Sequence, residues 1–188
     1  MKLILGSKSP RRREILSMVT NDFSVRVSHC DESYDEDTPL FDVPKILAER
    51  KAMAIPSEED EVIIGCDTVV IYGGELMGKP KDKGDAVRML KKLSGTTHDV
   101  ISGICVRQNN KVYSESVTTY VTFRSLTNEE IEGYVKKCNP VDKAGAYGIQ
   151  EAAGAFVERI DGDFYNVVGL PLCRLCEILK NEFGIELL

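Results

Sequence analysis

The stretch EVIIGC at residues 61–66 is a continuous apolar run. Runs of this kind are typical of a central strand that is buried on both faces of a sheet. Asp67 follows the run directly, and residues 69–77 have the pattern of a hairpin that turns at Gly73-Gly74. The sequence therefore predicts a buried strand that ends at Asp67 and carries a carboxylate at its end.

On the N-terminal side of this run, the pattern predicts strands at residues 2–6 and 23–28. Ser9 and Pro10 open a helix, because serine caps a helix well and proline suits the first helical position. Residues 31–42 form an acidic loop, and Asp42 begins a second helix that runs to about residue 54.

On the C-terminal side, helical spacing and long alternating segments follow one another. The predicted elements are a helix from residue 82 to 93, strands at 99–107 and 111–123, a capped helix at 127–137, a strand at 155–160 and a helix at 170–182. Strands and helices alternate first and antiparallel-looking strands follow. This order indicates an α/β fold with a mixed, partly antiparallel sheet flanked by helices, in one domain over residues 1–188 with room for two lobes.

Composition narrows the class of protein. The chain has 188 residues, 24 Lys plus Arg and 30 Asp plus Glu, and a net charge of −6. A stable core is expected and an extended nucleic-acid interface is not, because the charge is acidic. The apolar run at the start is too short for a signal peptide, and no segment is long enough to span a membrane. With six cysteines interpreted as reduced thiols, we expect a cytoplasmic protein without a membrane partner.

Residues 6–13, GSKSPRRR, form the first candidate binding site. A strand ends, a turn of small residues follows, and the helix N-terminus offers unpaired N–H groups. Ser7 adds a hydroxyl, and Arg11 and Arg12 add donors that match phosphate oxygens. The pattern predicts a phosphate-binding elbow, and a capped surface helix with a basic first turn explains it equally well.

Three further positions carry possible chemistry. A carboxylate at Asp67 is costly on a buried strand unless it is paired or holds a metal, although an aspartate that caps a turn is the alternative. Lys79, between Gly78 and Pro80, could contact a phosphate or lie on a solvated turn. Lys51 is predicted on a helix, and the sequence alone favours a surface lysine in a salt-bridged face.

Two segments suit a nucleotide and its cation. Gln150, after a run of small residues and Tyr147, has a donor and an acceptor for a pyrimidine edge, while a tightly packed connection is the default interpretation. Asp31 and Glu32 are hard oxygen ligands of the kind Mg²⁺ prefers, but most acidic loops are simply solvated. His98 is expected to satisfy only a local hydrogen bond. With no Gly-x-Ser-x-Gly turn, a serine hydrolase is disfavoured.

Taken in order, these segments resemble the Maf family, also called septum formation inhibitor proteins, which are nucleoside triphosphate pyrophosphatases. The resemblance covers nearly the whole chain. It is carried by Ser7-x-Ser9-Pro10-Arg11-Arg12, Gly65-x-Asp67-Thr68-Val69-Val70, Gly78-Lys79-Pro80, Leu93-Ser94-Gly95-x-x-His98-x-Val100, residues 142–150 and Val168-Gly169-Leu170-Pro171. The form Tyr147-Gly148-Ile149-Gln150 is similar to the branch that acts on dTTP and UTP.

The resemblance implies an elongated mixed sheet around a central cleft, as in ITP pyrophosphatases, and in many members a homodimer. It implies a divalent cation, Mg²⁺ or Mn²⁺, and Asp67 as the proton acceptor. As ligands of the cation we expect Glu32 and Asp67, and Asp67 alone is the alternative. Arg12, Thr68 and Gln150 occupy positions tied to base choice. Substrate binding is expected from Ser7, Arg11, Arg12, Lys51, Thr68, Lys79 and Gln150.

The expected reaction converts dTTP or UTP, or modified pyrimidine nucleotides, to the monophosphate and pyrophosphate by attack of water. Two alternatives stay open at this point. The first is a regulator of septum formation and cell division that binds nucleotides without catalysis, and the second is a pyrophosphatase for purine or 7-methyl-GTP substrates. No stable nucleic-acid partner is expected.

Overall fold

The computed structural model describes residues 1–27 and 29–188. Its strands are β1 (Lys2–Leu5), β2 (Phe23–Val25), β3 (Glu61–Tyr72), β4 (Glu75–Met77), β5 (Thr97–Gln108), β6 (Lys111–Phe123) and β7 (Val157–Asp161). Its helices are α1 (Pro10–Ser17), α2 (Val43–Met53), α3 (Lys83–Leu93), α4 (Asn128–Cys138), α5 (Phe164–Val168) and α6 (Leu172–Phe183). The short helix α5 was not predicted from the sequence. The predicted strand at 23–28 ends at Ser28, which lies outside the described residues.

The strands form one mixed sheet in the order β2-β1-β3-β5-β6-β7, and β4 pairs with β3. Strand β1 runs parallel to both β2 and β3, whereas β4 is antiparallel to β3 and β7 is antiparallel to β6. This confirms the predicted α/β class with a mixed, partly antiparallel sheet.

The chain divides into two compact units. Unit 1 comprises residues 1–68, 102–117 and 169–188, and unit 2 comprises residues 69–101 and 118–168. Strands β3, β5 and β6 therefore each contribute residues to both units. The single domain with a central cleft stays a prediction.

Asp67 does not end its strand, and this part of the prediction was wrong. Strand β3 continues to Tyr72, because the β-branched residues Thr68, Val69, Val70 and Ile71 extend it and β4 pairs with its last three residues. The parallel neighbour β1 has its last pair at Leu5 and Ile64, and the chain then leaves the sheet toward α1. Asp67 therefore lies just beyond the end of β1, which is the kind of position where open α/β sheets bind ligands.

Helix α2 lies unusually close to the sheet within unit 1. A side-chain carbon at Gly65 on β3 would collide with the carbonyl oxygen of Ala48, and one at Gly103 on β5 would collide with the carbonyl oxygen of Pro44. Both contacts are therefore possible only with glycine. Beneath the helix, the buried core includes Ile4, Ala48, Ala52, Ile55, Ile63 and Cys105.

Arg107 holds the C-terminal end of α2. Its guanidinium is buried and donates to the carbonyl oxygens of Ala52, at 3.0 Å, and of Ile55, and to the Ser57 hydroxyl at 3.0 Å. A cation at this end also complements the negative end of the helix dipole. The position of α2 is thus fixed by packing along its length and by hydrogen bonds at its end.

The predicted helix caps at Ser9, Asp82 and Thr127 are confirmed, whereas the last helix begins at Leu172 and not at residue 170. The Ser9 side chain accepts from the Arg12 N–H with Pro10 in the first turn, and the Asp82 side chain accepts from Asp85 N–H. Thr127 and Glu130 form the reciprocal capping box expected from their spacing. Among the described residues, no helix is both long and apolar enough to cross a membrane.

Unit 2 contains a buried aromatic cluster around His98. The imidazole meets the rings of Phe123 and Tyr147 edge to face, with centroids 5.0 and 5.5 Å away. Phe156 joins the cluster through Phe123 and also contacts Tyr134. Burial lowers the pKa of His98 to about 4, so its imidazole is neutral at physiological pH.

Changing Gly65 to alanine should destabilise the protein, because the added methyl group meets the backbone of α2. We expect a loss of about 2 kcal/mol in the free energy of unfolding, measured by urea denaturation. The matched control is Gly133→Ala on the exposed face of α4, where the new methyl group meets nothing within 4 Å. That variant should gain up to about 1 kcal/mol. Equal stabilities for the two variants would contradict the close packing of α2.

Stability should fall as the pH is lowered from about 6.5 to about 4, because His98 has a depressed pKa in the folded protein. In this window the unfolded chain takes up a proton that the folded protein excludes, so the contribution is complete above pH 6.5 and lost toward pH 4. A difference from 6.5 to about 4 corresponds to about 3 kcal/mol. His98→Gln, which does not titrate, should show a flatter curve in urea denaturation across this range. Parallel curves for the two proteins would exclude His98 as the source.

Candidate functional site

Two carboxylates converge on one lysine in unit 1. Lys51 Nζ, on α2, lies 2.5 Å from Asp67 Oδ1 on β3 and 2.9 Å from Glu32 Oε1 in the acidic loop. The side chains of Lys51 and Asp67 are only 13% and 14% exposed, whereas Glu32 is 63% exposed. The arrangement is a half-buried charge cluster that opens to solvent on the side of Glu32.

The helix pattern alone favoured a surface lysine in a salt-bridged face. Lys51 is ion-paired, but its side chain is only 13% exposed. Burial alone acts to lower its pKa, but the Asp67 charge and the hydrogen bonds to Asp67 and Glu32 outweigh burial, and the pKa of Lys51 lies above its ordinary value. The ammonium is therefore protonated, and it supplies a fixed positive charge beside Asp67. The sequence missed this pairing because Lys51 and Asp67 come together only through the packing of α2.

Arg12 is tied to three parts of unit 1. Its Nε donates to the Gly169 carbonyl oxygen at 2.8 Å, and its two terminal nitrogens donate to Ser7 Oγ and Thr68 Oγ1 at 3.2 Å each. The sequence predicted that Arg12 binds a phosphate. The structure shows that Arg12 also holds segments of the protein together. The guanidinium links the start of α1, the middle of β3 and the segment that leads into α6.

Ser7 is buried and its oxygen already accepts two hydrogen bonds, from the backbone N–H of Ser9 and from Arg12. A hydroxyl oxygen has two acceptor positions and one proton, so the Ser7 proton is directed to some other acceptor. Arg11 lies on the same first turn and is partly exposed. These features suit an anion at the start of α1.

Three residues that sequence reasoning did not select complete this network. Ser102, fully buried on β5, lies 2.8 Å from Thr68 Oγ1. The Gly169 carbonyl oxygen accepts from Arg12, and at 3.2 Å from the buried Cys66 thiol. Burial raises the pKa of Cys66, so the thiol remains protonated as this donor. For Cys66 and Gly169 the only signal in the sequence is that each lies inside a motif that carries the family resemblance. Ser102 has no such signal.

Lys79 and Gln150 belong to unit 2 and are both exposed. Their segments are joined, because the Gly145 N–H donates to the Gly78 carbonyl oxygen at 3.1 Å. The structure thus brings together two groups of predicted site residues. The first group, in unit 1, contains Ser7, Arg12, Glu32, Lys51, Asp67 and Thr68, and the second contains the segments of Lys79 and Gln150.

The donor set of the first group fits a hard divalent cation. The carboxyl groups of Glu32 and Asp67 lie close together, because one oxygen of each contacts Lys51 Nζ. Mg²⁺ is commonly held by one or two carboxylates together with substrate phosphates and water. Within residues 1–27 and 29–188, no cluster of three or more His, Cys, Asp or Glu side chains could hold an ion. The two carboxylates of Glu32 and Asp67 match the donor number that such an ion commonly takes from a protein.

Comparison with known proteins gives one family. The family model described as "Maf-like protein" matches residues 2–182. A protein of Clostridium novyi named dTTP/UTP pyrophosphatase is 48% identical, with 100% of both chains covered. Proteins of the same name from Alkaliphilus metalliredigens and Aquifex aeolicus are each 46% identical, with 100% and 96% of this chain and 99% and 95% of theirs covered.

Among solved structures, the Staphylococcus aureus Ham1 protein is similar over 65% of this chain and 72% of its own, with a TM-score of 0.46 and 12% sequence identity.

Ser102→Ala should loosen Thr68, because it removes the buried hydroxyl that contacts Thr68 Oγ1. We expect a loss of about 1–2 kcal/mol in the free energy of unfolding, measured by urea denaturation. Thr122→Ala is the matched control, since it removes an exposed hydroxyl contact of 2.9 Å to Thr97. This control should change stability by no more than about 0.5 kcal/mol. A Ser102 variant as stable as the control would show that the buried contact contributes nothing.

Proposed function

The chain belongs to the Maf-like protein family, and from this premise we propose that it is a nucleoside triphosphate pyrophosphatase that hydrolyses dTTP and UTP. The substrate class is supported by full-length relatives at 44–48% identity that are named dTTP/UTP pyrophosphatase. The observation that carries the proposal is the contact of Asp67 with the protonated Lys51, with the Arg12 guanidinium near enough to act on the pKa of that ammonium. It combines a carboxylate that can act as a base with cations that suit phosphates.

The triphosphate is proposed to bind through the start of α1 and the cations near it. Ser7 donates a hydrogen bond through its hydroxyl, while Arg11, Arg12 and Lys51 offset phosphate charge. Lys79 is proposed as a further phosphate-binding residue. These side chains are donors of the type that phosphate oxygens accept, and helix N–H groups act in the same way. Because Arg12 is already held by three hydrogen bonds, it needs little reordering when the substrate binds.

A divalent cation, Mg²⁺ or Mn²⁺, is proposed to be held by Glu32 and Asp67 together with substrate phosphates. Bound there, it would neutralise phosphate charge and lower the pKa of water. Lys51, which contacts both carboxylates, keeps them close together and counters their mutual repulsion.

Asp67 is the proposed base. It takes a proton from a water molecule whose oxygen attacks the α-phosphorus, and the bond from that phosphorus to the oxygen bridging the β-phosphate breaks. The products are the nucleoside monophosphate and pyrophosphate. A positioned carboxylate of this kind orients water as well as accepting its proton.

Selection of the base is proposed for Arg12, Thr68 and Gln150. The Gln150 amide can donate to O4 of uracil or thymine and accept from its N3–H. Cytosine presents the reverse pattern at both positions, so the same amide orientation does not suit it. We further propose that the protein acts in the cytoplasm, where its free cysteines would stay reduced. The homodimer and the lack of a nucleic-acid partner remain predictions.

Asp67→Asn should lower turnover of dTTP and UTP by about a thousandfold, because it removes the base while keeping the shape of the side chain. Pyrophosphate release in the presence of Mg²⁺ measures turnover, and equilibrium dialysis should show that the variant still binds nucleotide. The control is Asp22→Asn, which changes an exposed carboxylate in the segment between α1 and β2. It should retain full activity. Near-normal turnover by Asp67→Asn would exclude Asp67 as the base.

The same assay separates the alternative functions. Pyrophosphate release from dTTP and UTP supports the proposed enzyme. Tight nucleotide binding without turnover would favour a non-catalytic regulator of cell division, and turnover confined to purine or 7-methyl-GTP substrates would favour the other pyrophosphatase branch.

A further inference from the structure

One polar contact lies inside the aromatic cluster of unit 2. His98 is 1% exposed and Tyr147 is 7% exposed, and His98 Nε2 lies 2.8 Å from the Tyr147 hydroxyl. Phe123 packs edge to face against both rings, with centroids 5.0 and 4.9 Å away. The hydrogen bond is therefore shielded from water and fixed in direction by the surrounding rings.

Burying the polar atoms of this pair inside a hydrophobic cluster has a free-energy cost. Burial lowers the pKa of His98 and raises that of Tyr147, so both side chains are neutral. Within the part of the chain that the structure describes, Nδ1 of the same imidazole makes no hydrogen bond. Two apolar side chains of similar shape would avoid the cost of burying these polar atoms. A directional contact is what the pair adds beyond packing.

The contact leads to an irregular segment, residues 143–151. Tyr147 itself is extended, and the segment is held by short-range backbone hydrogen bonds such as Ala146 N–H to Lys143 O at 3.1 Å and Glu151 N–H to Gly148 O at 3.0 Å. Tyr147 is the buried side chain in this segment that reaches β5 through a hydrogen bond. Gln150 follows three residues later and is exposed.

We propose that His98 is a positioning residue: through the Tyr147 hydroxyl it fixes segment 143–151, and thereby the direction in which Gln150 meets a pyrimidine base. The proposal deepens the proposed function and rests on it. His98 does not touch the substrate, and its effect reaches the base only through Tyr147 and the backbone of this segment.

The test compares kcat/KM for UTP with kcat/KM for CTP in Tyr147→Phe, His98→Asn and His98→Gln. Tyr147→Phe and His98→Asn remove the contact, and the ratio should fall about tenfold, mainly through a higher KM for UTP, because base contacts act on substrate and transition state alike. The amide of glutamine reaches the position of Nε2, whereas that of asparagine stops near Nδ1. His98→Gln should therefore restore most of the ratio.

Val121→Ala controls for simple loss of stability. Val121 is fully buried on β6 in the same unit, and its truncation weakens the core without removing the contact between His98 and Tyr147. It should leave the ratio unchanged. An equal fall of the ratio in Val121→Ala, or no fall in Tyr147→Phe, would overturn the proposal.

Two further measurements separate this proposal from the proposed function. Amide hydrogen exchange at Gly145, Ala146 and Glu151 should be faster in Tyr147→Phe but unchanged at α3, and unchanged exchange at the segment would overturn the role of His98 without any assay of activity. Gln150→Glu should itself change the ratio. If Gln150→Glu has no effect while exchange in Tyr147→Phe is faster, Gln150 does not read the base. The His98 proposal then fails at its last step, which runs from the segment to the base.

Discussion

The distance between helix α2 and strand β3 is the constraint on which the candidate site depends. Gly65 lets the helix backbone touch the strand, and Lys51 lies on the last turn and a half of that helix. Asp67 lies two residues beyond Gly65 on the strand. A wider separation would leave two half-buried charges without a partner, which costs several kcal/mol for each ion. The glycine therefore lets the two charges come close enough to pair.

Features governed by nearest neighbours in sequence could be predicted. The caps at Ser9 and Thr127 follow from a hydroxyl three residues before an N–H, and the turns at Gly73-Gly74 follow from local backbone preference. The fold class could also be predicted, because the alternation of apolar segments is visible in the sequence. The predicted end of β3 was too early because an aspartate inside a strand is locally disfavoured. In the structure Asp67 is paired with Lys51, which is distant in sequence.

The residues of the candidate site were selected by residue type, and their pairing was not foreseen. The helix pattern favoured a surface position for Lys51 because neighbouring residues in the helix are charged. No feature of the helix sequence indicates that Lys51 contacts Asp67. Ser102 and Gly169 were missed for a similar reason, since a buried hydroxyl or a carbonyl oxygen leaves no signature of its own. The contacts of Ser102 and Gly169 span 34 to 157 positions in sequence. Distances of this kind are decided by tertiary packing, which local patterns do not encode.

The hydrogen bond from Arg12 to the Gly169 carbonyl oxygen joins residues that are 157 positions apart. During synthesis the first helix leaves the ribosome long before its partner is made, and such a contact of high sequence separation forms late. The acceptor for Arg12 Nε is therefore absent from the nascent chain until the segment before α6 has emerged, although Ser7 and Thr68 are already present. The hydrogen-bond network at the start of α1 is thus completed only when nearly the whole chain has been made.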